Sequence, residues 1–543
     1  MIQGPFSSPS NSPRLPVAAL LLLAAVFLLT GVIDHDPWKT EDAIHIGIAH
    51  GFATGSNWLF PHIAGEPWPH TAPLYHWVAA LLGKIFGGLL DFHNAARLAS
   101  TLFGALFLFA LAGAARALHG ADAGRAAPLL AIGTLGLLAP LHEAQPAVAG
   151  LACAALAYWG GGLILQGPAH GAPPLHAAPR HGAILLGLGL GLSFPAHGLV
   201  GLLMAGAVLP APILRRDWKS LALALLVALP LIAVWPLLLS SQAPELWAQW
   251  LQWWQNELAE ATLARRAPDS RHIELLIWAT WPVLPITAWS LWLYRRQLST
   301  LAIPLLGMLL ALLWFLSGSI RTQAAIPLLL PLILLAAAGV DRLRRGAANA
   351  FDWFAMTTFS VFAALIWLGA SAQALGWPPK IANNFEKLAP GHAVQYSAFA
   401  LVFAVVITLA WLLAWRLRRA SWRPTLHWAA GTTLLWALAA TLLMSWIDHG
   451  KSYRAVALAL RAALPQQVDC IERAGLGAAQ RASLDYFIGI RTTPPMRAGQ
   501  CEWRLAVGSK DQANPAGWVE RWQGNRPSDR KERWFLYQRQ KAE

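Results

Sequence analysis

Charged side chains are scarce in this chain. Asp, Glu, Lys and Arg make up 13% of its 543 residues, whereas hydrophobic residues make up 56%. Soluble domains are about 25% charged, so the chain lacks the polar surface that would cover a globule of this size in water. With a mean hydropathy of +0.45, the composition excludes an ordinary soluble protein and predicts an integral membrane protein.

Cysteine is also rare. The three Cys residues form no CxxC pair and show no Cys/His spacing typical of a metal site. Cys153 lies in an apolar run, whereas Cys470 and Cys501 lie in a polar C-terminal segment and could form one disulfide if that segment is exported. No Gly-rich nucleotide-binding loop is present.

Positive charge exceeds negative charge, with a formal net charge of +14. The Arg residues occur in short clusters between apolar runs rather than along one stripe, which indicates membrane topology and not nucleic-acid binding. Many of the 29 Trp residues stand near the ends of apolar runs, where they suit the headgroup layer.

The apolar runs predict an all-α polytopic protein of about thirteen transmembrane helices. Residues 1–14 are rich in Ser and Pro and are predicted to be a disordered cytoplasmic segment. The first run, 15–33, is predicted to be an uncleaved helix, because no small-x-small cleavage site precedes Asp34. The other predicted spans are 98–115, 127–141, 147–166, 182–194, 196–214, 220–240, 273–294, 300–316, 323–340, 351–371, 397–415 and 426–446. The transmembrane domain is therefore 15–446.

The segment 73–90 is ambiguous by hydropathy, and charge decides it. If this segment does not span, nearly all Arg clusters fall on one side, as the positive-inside rule requires. We therefore expect a helix that lies in the interface or dips into the protein, within a first periplasmic loop of residues 34–97. The same assignment of sides predicts that 447–543 is a periplasmic domain. Its runs 482–491 and 501–507 suggest strands, so a small α/β domain is predicted.

Titratable residues concentrate between Asp34 and Trp77. Thr40 can cap a helix whose first turn holds Glu41 and Asp42, with an apolar face following. This pattern fits a helix on the membrane surface, but a carboxylate beside a pocket could also act as a general base or hold a divalent cation. The histidines lack ligand spacing, so we expect hydrogen-bonding roles and no metal site from them.

This loop resembles that of bacterial lipid-linked-sugar transferases of the GT-C superfamily, which includes the lipid A aminoarabinose transferases and, more distantly, the protein O-mannosyltransferases. The resemblance rests on the ED pair, on NWLFPHIAGEPW sixteen residues later, and on APLYHW. In the family these read as a DE pair, DW-x-x-P-x-x-x-G and KPPLYYW. The family's lysine falls on Thr71, so its charge is missing here.

The resemblance implies site residues. Asp42 or Glu41 takes the place of the catalytic carboxylate. His70, Tyr75 and Glu143 are implied as substrate-binding residues, and Arg321, in FLSGSIRTQAAIP, as the phosphate-binding residue; the family's tyrosine after it is absent. The Trp-rich segment 244–272 is predicted to be an interfacial helix that could line a groove for a polyprenyl chain.

The predicted function is transfer of a sugar from a polyprenyl-phosphate donor to a lipid or protein acceptor at the periplasmic face of the bacterial inner membrane. The partners are thus the lipid-linked donor, the acceptor and membrane lipids, without nucleic acid. Two alternatives stay open: a non-enzymatic transporter or flippase of lipid-linked saccharides, and a degenerate GT-C binding protein.

Overall fold

The computed structural model describes residues 15–55, 57–166, 177–263, 270–317, 322–392, 394, 396–495, 501–509, 515–529 and 531–540. Its helices in the first half are α1 Val17–Leu29, α2 Glu41–Thr54, α3 Leu74–Phe86, α4 Phe92–His119, α5 Ala121–Ile132, α6 Leu135–His142, α7 Ala147–Gln166, α8 Ala177–Gly206, α9 Pro210–Leu214, α10 Trp218–Gln242 and α11 Pro244–Leu263. The others are α12 Ser270–Thr280, α13 Val283–Leu293, α14 Ala302–Ser317, α15 Ile326–Gly339, α16 Arg345–Leu375, α17 Pro379–Leu388, α18 Ala398–Ala414, α19 Arg423–Leu438, α20 Met444–Lys451, α21 Arg454–Ala463 and α22 Ala478–Ile488.

The predicted polytopic architecture is confirmed. Within the described residues, 8 helices are long and apolar enough to cross a membrane, or up to 10 if the bent pairs α5–α6 and α12–α13 each count as one span. Helices α1 and α18 are shorter but equally apolar. All thirteen predicted runs have a helical counterpart.

The predicted spans 182–194 and 196–214 meet inside α8. The helix breaks at His197 and Gly198, where Gly198 has φ +61°. Gly182 packs against Gly160, and Val208, beyond the break, packs against the adjacent Gly161. Because residues before and after the break contact adjacent positions of α7, this segment is a hairpin of two antiparallel helices.

Helix α3 packs against the first loop. Its 13 residues extend about 20 Å at 1.5 Å per residue. The loop residue Trp58 contacts it at both ends, accepting a hydrogen bond from Trp77 Nε1 at 2.6 Å and lying 5.4 Å from Lys84 Nζ.

The C-terminal segment forms a four-stranded sheet of order β3-β4-β6-β5, in which β3 and β4 are parallel and the other pairs antiparallel. The strands are β3 Ile471–Ala474, β4 Trp503–Gly508, β5 Trp518–Gly524 and β6 Arg533–Arg539; a small hairpin, β1 His62–Ile63 and β2 Glu66–Pro67, lies in the first loop. Cys470 and Cys501 form a disulfide beside β3 and β4. The strand expected at 501–507 is present as β4.

The strand expected at 482–491 is wrong, because this segment is helix α22. Gly477 donates its backbone N–H to Gln480 Oε1 at 2.6 Å at the start, and Gly489, with φ +67°, ends the helix. The buried residues Ala479 and Ala482 follow the helical spacing. A Cβ added at Gly47 of α2 would lie 2.6 Å from Cβ of Ala482, so α22 packs directly on α2.

Candidate active site

Helix α2 presents the carboxylate pair. It begins at Glu41, as the sequence predicts, but Thr40 makes no side-chain capping bond. Instead, Asp42 Oδ2 accepts a hydrogen bond from the backbone N–H of Trp38 at 3.1 Å. Since α3 and α22 cover this helix, it is an internal element and not a helix on the lipid surface.

Asp42 is fully buried in an ion pair. Arg97 donates from Nε to Oδ1 at 3.2 Å and from Nη2 to Oδ2 at 2.9 Å, and the Ala144 backbone N–H donates to Oδ1 at 2.7 Å. Burial alone would raise the pKa of Asp42, but the charge and hydrogen bonds of Arg97 lower it. A carboxylate with this many donors is a weak base, and it ties α2 to α4 and to the segment after α6.

Glu41 faces a cavity instead. Its Oε2 lies 3.3 Å from Nε2 of His45, and 36% of the Glu41 side chain is exposed. His45 Nδ1 lies 3.0 Å from Nε2 of His76, and His76 Nδ1 lies 3.2 Å from the Ala72 carbonyl oxygen. The pair's two carboxylates, adjacent in sequence, therefore occupy different environments.

The cavity has a volume of about 370 Å³ and aromatic walls. Its Trp lining comprises Trp68, Trp250, Trp253, Trp254 and Trp314, and its polar lining comprises Glu41, His45, His70, Thr71, His197, Glu257 and Gln323. Three of these Trp residues belong to α11, the segment predicted as interfacial. In the described part of the chain, the buried Nε1 of Trp254 has no hydrogen-bond partner.

The other residues implied by the sequence are distributed unevenly. His70 lines the cavity beside Thr71, with its ring 4.2 Å from the Trp68 ring and 5.3 Å from the Trp253 ring. Arg321 lies outside the described residues, although Gln323 and Pro327 line the cavity.

Tyr75 and Glu143 lie behind the cavity wall. Tyr75 is fully buried with its Oη 2.7 Å from Ser100 Oγ, which donates to the Glu143 carbonyl oxygen at 2.6 Å. Burial and the charge of Asp42 raise the pKa of Glu143 to about 7. Glu143 directly follows α6, and neither residue lines the cavity described above.

The C-terminal segment binds the first loop through ion pairs. Glu66 accepts hydrogen bonds from Arg473 at 2.6 and 2.9 Å and from Arg481 at 2.5 Å. Asp36 is paired with Arg454, whose Nε lies 2.8 Å from Oδ2. These ion pairs fix the loop between the membrane helices and the sheet.

Among the described residues, no group of three or more His, Cys, Asp or Glu side chains is arranged to hold a metal ion.

Two features of this site were missed from the sequence. Arg97 is an Arg in a long apolar helix, which is itself a signal of a functional or paired residue. The His45–His76 contact joins residues 31 positions apart on different helices, and no spacing rule identifies it.

The fold and the sequence both have known counterparts. No known protein-family model matches the chain. It is 27% identical over 455 residues to the undecaprenyl phosphate-α-4-amino-4-deoxy-L-arabinose arabinosyl transferase of Pseudomonas aeruginosa, covering 81% of this chain and 77% of the relative. The crystal structure of ArnT from Cupriavidus metallidurans bound to undecaprenyl phosphate superposes with a TM-score of 0.66 at 19% identity, covering 96% of this chain and 97% of that one.

A more distant structure has the same fold. The Archaeoglobus fulgidus oligosaccharyltransferase matches with a TM-score of 0.50 at 12% identity, covering 89% of this chain and 65% of that one. The multi-pass helical architecture, the carboxylate at the cavity and the arabinosyltransferase relatives agree with one another. The chain is thus a multi-pass inner-membrane protein with a GT-C-like fold, similar to the aminoarabinose transferases.

Proposed function

We propose that this protein transfers a sugar from a polyprenyl-phosphate donor to a lipid or protein acceptor, with Glu41 as the catalytic carboxylate. The observation that carries the proposal is the position of Glu41 at the wall of a cavity of about 370 Å³. The Trp faces around it suit a sugar ring and the first isoprene units of a lipid. The polyprenyl donor is supported by the relatives, which are undecaprenyl-phosphate enzymes by name.

The reaction is a displacement at the anomeric carbon. Glu41 takes the proton of the acceptor hydroxyl or amine as that atom bonds to the sugar, and the lipid phosphate departs with the electrons of the broken C–O bond. Asp42 acts as a positioning residue, because its oxygens already accept from Arg97 and two backbone N–H groups.

An amino pentose is the sugar we propose. The relatives carry 4-amino-4-deoxy-L-arabinose in their name. The Glu257 carboxylate lines the same cavity and suits an ammonium group on the sugar.

We infer the periplasmic orientation of the cavity from the Arg residues at the opposite ends of the helices that line it. The break of α8 and the start of α15 line the cavity. Arg lies at the far end of each of these segments: Arg180 near the start of α8, Arg215 after α9, and Arg342 after α15. The C-terminal segment that carries the disulfide is bound to the first loop through Arg473 and Glu66. Cytoplasmic Arg and a periplasmic disulfide both follow from this orientation.

The test uses the full chain purified in detergent, charged with undecaprenyl-phosphate-linked sugars, with release of undecaprenyl phosphate as the readout. Glu41→Gln is expected to lower the rate by about 10² to 10⁴-fold without lowering the melting temperature, as for loss of a general base. Asp34→Asn, at an exposed position of the same loop, is the matched control and keeps the parent rate.

The same assay separates the alternatives. A flippase or a binding protein releases no undecaprenyl phosphate with any donor and acceptor, and that result would overturn the proposal. Full activity in Glu41→Gln would remove Glu41 from the mechanism.

A further inference from the structure

Arginines from two separate segments of the chain meet at one end of the helix bundle. The first segment, 294–297, follows α13, and the second, 340–345, follows α15. Five Arg and one Asp give the two segments together a formal charge of +4. The five arginines, called the basic cluster below, are Arg295, Arg296, Arg342, Arg344 and Arg345.

Contacts between helices hold the two segments together. Tyr294 donates from Oη to the Ala338 carbonyl oxygen at 3.2 Å, and Ser290 Oγ lies 3.4 Å from the Ala336 carbonyl oxygen. Arg342 Cζ lies 5.7 Å from the centroid of the Tyr294 ring. The end of α13 is therefore packed on the end of α15, and the positions of their arginines are fixed relative to each other.

Two tryptophans of α13 order the guanidinium groups. The rings of Trp289 and Trp292 are stacked with centroids 5.0 Å apart. Arg344 Cζ lies 5.7 Å from the first ring and 5.5 Å from the second, and Arg295 Cζ lies 4.5 Å from the Trp292 ring. Guanidinium groups from different segments thus share one ring. An arginine held in this way loses less conformational freedom when it binds a ligand.

The cluster contains more positive charge than the protein neutralises. Arg295, Arg296, Arg344 and Arg345 are exposed. In the described part of the chain, no carboxylate lies within ion-pair distance of these four side chains. Like charges repel at close range, so an anion that binds among them is favoured electrostatically.

The cluster lies at the opposite end of the helices from the cavity. Pro327 at the start of α15 lines the cavity, whereas Arg342 follows the end of that helix, about 20 Å away for a helix of 14 residues. Trp292 is 45% exposed at the end of an apolar helix, a position typical of the headgroup layer. In the orientation proposed above, this layer belongs to the cytoplasmic leaflet.

We propose that the basic cluster binds the headgroup of an anionic phospholipid in the cytoplasmic leaflet, with Arg295 and Arg344 donating to its phosphate. The planar fork of an arginine donates paired hydrogen bonds to phosphate oxygens and keeps its charge at all physiological pH values. Basic pockets between the cytoplasmic ends of spanning helices suit such headgroups. Trp292 is the positioning residue for both guanidinium groups. This site is separate from the cavity and does not depend on the transferase function.

The surroundings favour a lipid over a soluble phosphate. Leu298, which is 41% exposed, and the exposed part of Trp292 lie in the same region as the arginines. A lipid contacts this apolar surface with its glycerol and acyl groups while its phosphate meets the guanidinium groups, whereas inorganic phosphate uses the arginines alone.

The first measurement compares lipids on the parent protein. The full chain, purified in detergent, is titrated with phosphatidylglycerol, cardiolipin or phosphatidylcholine, and bound lipid is counted by native mass spectrometry. The two anionic lipids are expected to bind at least about 10-fold more tightly than phosphatidylcholine. Equal affinity for all three lipids would overturn the proposal.

The second measurement locates the site. Arg295→Gln combined with Arg344→Gln is expected to weaken phosphatidylglycerol binding by roughly 10- to 30-fold, since each arginine near a lipid surface contributes about a factor of five. Arg215→Gln combined with Arg418→Gln removes two exposed arginines from other segments on the same side and keeps the parent affinity. If this control weakens binding as much as the cluster variant, or if the cluster variant keeps the parent affinity, the proposal is wrong.

A variant with unchanged charge tests the role of the shared ring. Trp292→Leu is expected to weaken phosphatidylglycerol binding several-fold, because both guanidinium groups lose the surface that orders them. Parental affinity in this variant would remove Trp292 from the site. It also replaces the double Arg variant as the test of location if that variant shows no melting transition in detergent.

Competition identifies the source of the phosphate. Inorganic phosphate at millimolar concentration is added to the parent with phosphatidylglycerol bound. Retention of the lipid is expected, because the apolar contacts are absent for the free ion. Displacement of the lipid would show that the site recognises phosphate alone and would overturn the assignment to a phospholipid.

Discussion

Arg97 holds Asp42 in a two-point ion pair that excludes solvent from both partners. Glu41, the preceding residue, points instead into the cavity. Adjacent carboxylates on a helix are about 100° apart around its axis, so one can join the core while the other faces a substrate. Asp42 therefore holds the loop in place, and Glu41 is the carboxylate that we propose for proton transfer.

Removing Arg97 should destabilise the protein. Arg97→Met leaves the Asp42 carboxylate buried without its counter-ion, which costs about 3–5 kcal/mol in comparable buried pairs. The measurement is the melting temperature in detergent by intrinsic fluorescence. The exposed Arg461→Met, on α21, is the control for loss of a surface charge.

Asp42→Asn combined with Arg97→Met tests the same pair as a unit. The double variant is expected to be more stable than Arg97→Met alone, because no unpaired charge stays buried. Equal melting temperatures for the parent and Arg97→Met would show that the ion pair does not hold α2 to α4.

Trp254 is expected to donate to the substrate. Its buried Nε1 has no partner among the described residues and its ring lines the cavity. Trp254→Phe keeps most of the aromatic surface and removes the donor, so KM for the donor lipid should rise several-fold, as for loss of a hydrogen bond worth about 1 kcal/mol. Trp247→Phe, one helical turn before Trp250 and outside the cavity lining, serves as the control. An unchanged KM in Trp254→Phe would exclude this contact.

The general architecture could be predicted because it depends on local patterns. Apolar run lengths identified the helices, and Arg placement kept 73–90 out of the count of spans. The hairpin at His197 was also predictable, because Pro195 interrupts the pattern there.

The site could be predicted only in part. Glu41 and Asp42 stood out as acidic residues in an apolar chain, but their different environments depend on Arg97, which lies 55 residues from Asp42. The sequence predicts a strand where α22 lies because apolar residues alternate there over a short window, whereas the structure has a helix in which Ala482 packs on Gly47. Contacts of this kind arise from tertiary structure, which local periodicity does not report.

Glu143 should make stability depend on pH. Burial and the charge of Asp42 raise its pKa to about 7 in the folded protein, above the ordinary value of about 4.3 in an unfolded chain. The folded state then binds more protons between these values, so stability falls as pH rises from about 4.5 to above 7, by up to roughly 3 kcal/mol.

Glu143→Gln tests this dependence because a glutamine does not ionise. It should melt a few degrees above the parent at pH of about 8 and level with it near pH of about 5, where the parent carboxyl is protonated. If the two proteins differ equally at both pH values, the effect of the substitution is steric and the pKa of Glu143 is not responsible.

The ion pairs of Glu66 should hold the C-terminal sheet to the first loop, and acid should weaken them. Burial would raise the pKa of Glu66, but the hydrogen bonds and charges of Arg473 and Arg481 lower it below its ordinary value. A depressed folded pKa means that the stabilisation is complete above the unfolded pKa of about 4.3 and is lost as pH falls through the folded pKa.

Glu66→Gln should therefore increase hydrogen exchange in α22 at neutral pH and lower the melting temperature at that pH. The melting temperatures of variant and parent should converge only once the pH has fallen below the depressed folded pKa of Glu66, where the parent carboxylate is also neutral. Asp469→Asn, at an exposed position before β3, controls for the loss of one negative charge, and a Glu66→Gln protein with parental exchange in α22 would show that the two arginines do not hold the domain to the loop.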